Sequence, residues 1–218
     1  MNTKEYIVKK YNLHLRGDYY IDLPIKGSIE LAKLFDELGF VNGVEIGTDQ
    51  GEFAEILFKE IIGLWLGCVD PWKTEAYTNN EQPESGENQE FFDKRYEETK
   101  KRLNKYIFVH GWGRIFRETS MEALNNFDDN SLDFVYIDGN HDFLNVTQDI
   151  HYWLKKVRPG GIIAGHDYCK YPFRKYNHVK AVVQAYAKSY ALFPVFGTMC
   201  VKHGLKRDNF RSWFIIKS

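Results

Sequence analysis

Short, continuously apolar runs alternate along this chain with longer segments whose apolar residues recur at the helical period. The clearest case spans Leu132 to Tyr168. There, runs at 134–137 and 162–164 flank a segment carrying Phe143, Val146, Ile150, Trp153, Leu154 and Val157. Pro159, Gly160 and Gly161 are expected to stop that helix and turn the chain into the second run. Strand, crossover helix and strand in so short a stretch form a parallel βαβ unit. A parallel sheet is buried on both faces, which explains strands that are apolar throughout rather than alternating.

The same rhythm organises the rest. Ser28 is placed to cap a helix carrying Ile29, Leu31, Leu34, Phe35 and Leu38, ended by Gly39. A strand at 43–46, a glycine-containing turn and a helix with Phe53, Ile56, Leu57 and Ile61 inward come next, and a second strand ends at Asp70. Further on the pattern predicts a helix at 92–103, a third strand at 106–110 and a short helix at 121–127. The βαβ unit supplies strands four and five. A helix at 179–190 and strands at 193–201 and 213–217, joined by a charged turn at 204–209, close the chain. The expectation is a single α/β domain over 1–218, a Rossmann-like, seven-stranded, mostly parallel sheet with helices on both faces and an antiparallel carboxy-terminal hairpin. Residues 1–26 read as an amino-terminal extension that either packs on the core or covers the crevice. At 73–92 the apolar pattern disappears, and the segment is either a solvated turn or a lid.

Composition narrows the partners. With 29 basic and 30 acidic side chains among 218 residues and a net charge of −1, the chain gives no electrostatic reason to expect nucleic acid or a membrane surface. A small molecule is the default partner. The three cysteines, Cys68, Cys169 and Cys200, lack CxxC spacing and suggest neither a disulfide framework nor a zinc site. No signal-peptide pattern or membrane-length apolar run is present in the sequence, so a cytoplasmic location is expected. Tyr11, Tyr19, Tyr20 and Ile21 are candidates for a homodimer contact.

Polar residues fall where chemistry is expected. Asp138, Asn140 and His141 leave the carboxyl end of one strand, and His166 and Asp167 leave the next. In an open α/β sheet ligands sit at these ends, so two carboxylates and two imidazoles are aimed at one crevice. The first turn, Glu45 to Gly51, has glycines at Gly47 and Gly51, which let backbone approach a ligand closely. Its G-x-x-x-G spacing is neither the dinucleotide fingerprint nor a phosphate loop, and Glu45 suits a cationic or neutral partner. Asp70 stands where an acid that accepts hydrogen bonds from ribose hydroxyls belongs.

VEIGTDQGEFAEIL resembles the first motif of class I S-adenosylmethionine (SAM)-dependent methyltransferases, and VDPW resembles their second. LDFVYIDGNH followed by RPGGIIAGHDY resembles a small-molecule subgroup, the macrocin-type sugar O-methyltransferases and cephalosporin-hydroxylase-like proteins, more distantly the catechol-type enzymes. The resemblance covers about residues 40–218. It implies that Glu45 and Gly47 line the methionine end of SAM, that Gly51 shapes the turn, and that Asp70 binds the ribose. It further places Trp72 and Pro71 beside the adenine, with Ser120 and Met121 flanking it and Asp138 closing the cofactor site. Asp138 and Asp167 match the acids that hold a divalent metal such as Mg2+, with His166 or His141 as a further ligand or base. One departure is visible: catechol-type enzymes follow the second acid with Asn, whereas here His166 precedes Asp167 and Tyr168 follows.

The chemistry expected is metal-assisted O-methylation of a hydroxylated small molecule such as a sugar or secondary metabolite. Asp138, with His141 or His166 as base, would carry it. The rival readings are a catalytically silent cofactor-binding module and, against the missing G-x-G-x-x-G, a nicotinamide-dependent oxidoreductase.

Overall fold

In the computed structural model, which describes residues 1–15, 17, 19–77, 88–169, 177–201 and 205–218, the apolar runs become one eight-stranded sheet. The strands are β1 (Tyr20–Lys26), β2 (Asn42–Ile46), β3 (Trp65–Val69), β4 (Gly113–Phe116), β5 (Leu132–Ile137), β6 (Val157–Gly165), β7 (Val195–Met199) and β8 (Trp213–Ile216). Their order is β1-β7-β8-β6-β5-β2-β3-β4. Every pair is parallel except those that β8 makes with β6 and β7. The mostly parallel sheet and the antiparallel closing hairpin are as expected, but the strand count is eight rather than seven.

The extra strand is β1, inside the stretch read as an extension. Leu23 and Ile25 are buried in it while Pro24 interrupts the run. Proline has no N–H to donate, and β1 is an edge strand paired only with β7, where that loss costs nothing. Within 1–26, α1 (Thr3–Lys10) and β1 pack on the core, with Ile7 fully buried and Thr3 Oγ1 donating to the Gly160 carbonyl. Tyr20 and Ile21 belong to this strand, and Tyr20 stacks on Tyr168.

Helices α2 (Gly27–Glu37), α3 (Glu52–Glu60), α4 (Gln89–Asn104), α5 (Ser120–Ala123), α6 (Phe143–Lys156) and α7 (Val179–Ser189) cover the two faces. Side chains alternate along a strand. Phe134 and Tyr136 of β5 therefore join Phe35, Phe53 and Leu57, while Val135 and Ile137 join Val146, Ile150 and Trp153. Every residue of β5 is buried, as a central parallel strand requires. No helix among the described residues is long and apolar enough to cross a membrane.

Three local expectations are corrected. The stretch at 106–110 is not a strand: α4 runs on into a π-helical turn, Lys105–Val109, which buries Tyr106 and Ile107 and leaves Phe108 and Val109 exposed. A short apolar run carries no periodicity that separates strand from helix. The true strand is β4, where Gly113 is required because a Cβ there would lie 2.2 Å from the Leu66 carbonyl oxygen. The Pro-Gly-Gly segment does not precede β6 but lies within it, as a register shift against β5 between Leu132 and Phe134. Finally, α2 starts at Gly27, so Ser28 is inside the helix. Its amide donates to Asp208 Oδ1 at 2.8 Å, a cap supplied from the far end of the chain. Within 73–92, a 3-10 turn occupies Thr74–Tyr77 and α4 begins at Gln89; the expected lid at 78–87 lies outside the described residues.

Candidate active site

The carboxyl ends of β2, β3, β5 and β6 open on one side of the sheet. Gly47 continues β2 with φ +83°, and a Cβ on it would sit 2.2 Å from the Asp138 carbonyl oxygen. Only glycine lets the β2 turn and the end of β5 come this close. Asp70, 4% exposed, accepts from the Asp49 amide at 3.0 Å and the Trp72 amide at 2.8 Å. Burial raises it to about 6 against the pull of those amides. Helix α4 straps the same turns: Arg95 pairs with the Asp49 carboxylate, and the Thr99 hydroxyl donates to the Asp49 carbonyl.

Between these strand ends lies a cavity lined by Gly47, Asp70, Pro71, Ser120, Met121 and Asp138 among others. Glu45, Gly51 and Trp72, expected at the cofactor, are not among the residues lining it. Gly51, at φ +74°, turns the chain into α3. Trp72 is buried, its indole N–H donating to the Asp49 carbonyl at 3.0 Å, so it braces the turn. Glu45 falls on the Phe53 and Tyr136 face by strand alternation, and burial there pushes it up to about 8, with the nearby Arg207 opposing. Its Oε2 has no hydrogen-bond partner among the described residues. A second cavity at the opposite ends of the strands, lined by Thr3, Lys4, Gly160, Pro194 and Lys217 among others, presents no carboxylate side chain and no imidazole among the described residues.

Next to the first cavity, the four expected strand-end groups meet. His141 Nε2 is 3.0 Å from Asp167 Oδ2. His166 Nδ1 is 3.1 Å from the same oxygen and 3.6 Å from Asp138 Oδ1, while its Nε2 lies 2.9 Å from the Arg207 carbonyl. A carbonyl only accepts, so Nε2 carries a proton, and two carboxylates face Nδ1. Burial would lower the His166 pKa, but Asp138 and Asp167 outweigh it and raise it. Burial likewise works against ionised Asp167, yet hydrogen bonds from His141 and His166 hold it well below the ordinary carboxylate range. With both ring nitrogens engaged, His166 is badly placed to ligate a metal or to take a proton. The donor atoms that do lie within 4.8 Å of one another belong to Asp138, His141 and Asp167.

Two residues of the site have no signal in the local sequence. Arg207, from the hairpin, donates to Asp138 Oδ2 at 3.1 Å and lies over the Phe53 ring. Burial opposes its charge, but Tyr136, Asp138 and Glu45 hold it protonated. Asp149, on the inner face of α6, also lines the cavity, and burial raises it to about 7 despite a hydrogen bond from Ser120. Asp138 itself is not a helix cap, since Asp142 does that for α6 by accepting from the Asn145 amide.

Among solved structures the fold is shared with the O-methyltransferase from Bacillus cereus in complex with SAH (TM-score 0.61, 18% identity, 99% of this chain and 90% of that one). It is also shared with the O-methyltransferase TomG from Streptomyces achromogenes, involved in tomaymycin synthesis and solved with SAM (TM-score 0.60, 16% identity, 99% of this chain and 89% of that one). A curated relative, the uncharacterised protein y4gI of Sinorhizobium fredii, is 27% identical over 129 residues, which are 57% of this chain but only 13% of that protein. The family model described as a methyltransferase domain matches residues 44–168, from the core of β2 to just beyond Asp167. That match takes in both strand-end motifs and more than half of the chain, and the chain, with its Rossmann-like fold, belongs to the methyltransferase-domain family.

Proposed function

We propose that the protein is a SAM-dependent O-methyltransferase acting on a hydroxylated small molecule, a sugar or secondary metabolite, with a divalent cation assisting. The observation that carries this reading is the position of Asp138. It lines the cavity beside Asp70 and also belongs to the Asp138–His141–Asp167 cluster, so a cofactor site and an acid–base site share a wall.

The residues suit the cofactor. Asp70 is held rigidly by two amides yet retains lone pairs for ribose hydroxyls, and Gly47 leaves room at the turn. When bound, SAM supplies a sulfonium methyl already activated for transfer. The acids suit a hard cation such as Mg2+, which takes one or two carboxylates and keeps water for its other positions. Asp138 and Asp167 would hold it, and it would lower the pKa of an acceptor hydroxyl. His141 takes the hydroxyl proton, and Asp167 orients its ring and stabilises the imidazolium that results. Arg207 and His166 fix Asp138 in place, and hydrogen bonds from His141 and His166 keep Asp167 ionised.

Calorimetry with SAH and SAM, with and without Mg2+, tests the cofactor. Binding at about micromolar Kd, weakened at least about 100-fold by Asp70→Ala, is expected. No binding under any of these conditions would end the proposal. Methyl transfer to hydroxylated sugars should fall on chelation, and unchanged rates in EDTA would remove the cation while leaving His141 as the base.

A further inference from the structure

Residues 99–117 contain six lysines and arginines and no aspartate or glutamate, a concentration that the net charge of −1 averages away. Lys100, Arg102 and Arg117 pair with Glu97, Glu55 and Asp93. Lys101, Lys105 and Arg114 are exposed and have no carboxylate partner among the described residues. At the centre of this stretch the chain turns outward. Tyr106 and Ile107 are buried anchors, and the amides of Gly111 and Trp112 close the turn by donating to the Ile107 and Tyr106 carbonyls at 3.1 and 3.0 Å. The residues between are held out in solvent: Phe108 is 58% exposed and Val109 66%, with Trp112 44% exposed beside them. Lys101, Lys105 and Val109 follow at four-residue spacing along α4 and its π-helical turn, so charge and apolar tip share a face.

We propose that this turn is a docking surface for a lipid bilayer rich in anionic phospholipid. Apolar side chains braced out into water gain by entering the acyl boundary, and the flanking cations gain by meeting headgroup phosphates. A second copy of the chain is a poor occupant, because it would set one basic stretch against another. Nucleic acid is served less well: Val109 has no ring to stack on a base, and the Trp112 ring is already stacked on His110 with centroids 4.5 Å apart. The turn leads into the amino end of β4, whereas the candidate active site opens at the carboxyl ends of the strands. Docked protein therefore keeps its crevice clear of the bilayer. Docking here is independent of methyl transfer.

Co-sedimentation of the full chain with vesicles is the test. With three unpaired cations at the surface, binding to vesicles of phosphatidylcholine mixed with phosphatidylglycerol should be about 100-fold tighter at low salt than binding to phosphatidylcholine alone. Lys101→Glu combined with Lys105→Glu should erase that preference. Phe108→Ser combined with Val109→Ser should weaken binding to the mixed vesicles at least about 10-fold. All four side chains are exposed, so both variants should keep the circular dichroism of the wild type. A wild-type preference below about 3-fold, or undiminished binding by either variant, would overturn the proposal. Tighter binding of a single-stranded oligonucleotide than of the mixed vesicles, lost in the lysine variant, would also overturn it and make nucleic acid the partner.

Discussion

On the side of the crevice carrying Asp70, the acid is held by amides 21 and 2 residues away along the chain. On the side carrying Asp167, Asp138 is held by a guanidinium 69 residues away, and His166 by a carbonyl 41 residues away. The first side uses backbone donors from turns that directly follow two strands. The second uses charged side chains that long crossovers bring together. Backbone donors are neutral and permanent, so the Asp70 side is pre-organised by its turns. The charge cluster exists only once the hairpin has docked, because each buried charge needs its partner in place.

Substituting Arg207 with Met puts the greatest load on this difference. It leaves Asp138 and Glu45 without their buried cation, and removing one member of a buried pair costs about 3–5 kcal/mol. Urea denaturation should show that loss, and a change under about 1 kcal/mol would mean that the charges do not hold the acceptor side together. Gly47→Ala strikes the other side: a left-handed φ and the Asp138 carbonyl at 2.2 Å predict a loss of about 2–4 kcal/mol. SAH affinity should fall with it, whereas an alanine variant of normal stability would show that the β2 turn is less tightly specified than its geometry implies. The smallest effect belongs to Asp208→Ala, which removes the acceptor for the Ser28 amide across 180 residues. A lost helix cap costs about 1 kcal/mol. Thermal denaturation should resolve it with SAH binding unchanged, since Asp208 braces the hairpin without lining the cavity.

The same contrast governs how much could be read from the sequence. Gly47, Asp70 and Asp138 were legible because each directly follows an apolar run, and Asp167 because it lies just beyond one; strand ends point to the crevice whatever packs around them. Arg207 and Asp149 were not. One lies in a charged turn that looks solvated, and the other is one polar residue on a helix whose apolar face was the visible signal. His166 was read as a candidate base from its place beside Asp167, but only the packed structure shows the Arg207 carbonyl on its Nε2. Trp72 followed a strand-end acid and was expected against a ligand, yet its indole turned inward to Asp49.

From the sequence alone, then, came the parallel βαβ core, the closing hairpin and the acids that rim the crevice. These depend on hydrophobic period and on strand direction, which are local properties of the chain. Tertiary structure alone decided that residues 20–26 form an eighth strand, that Asp208 caps α2, and that a hairpin arginine pairs with the acid that follows β5. Edge pairing, capping in trans and the pairing of buried charges are contacts between distant segments, and no window along the chain contains both partners.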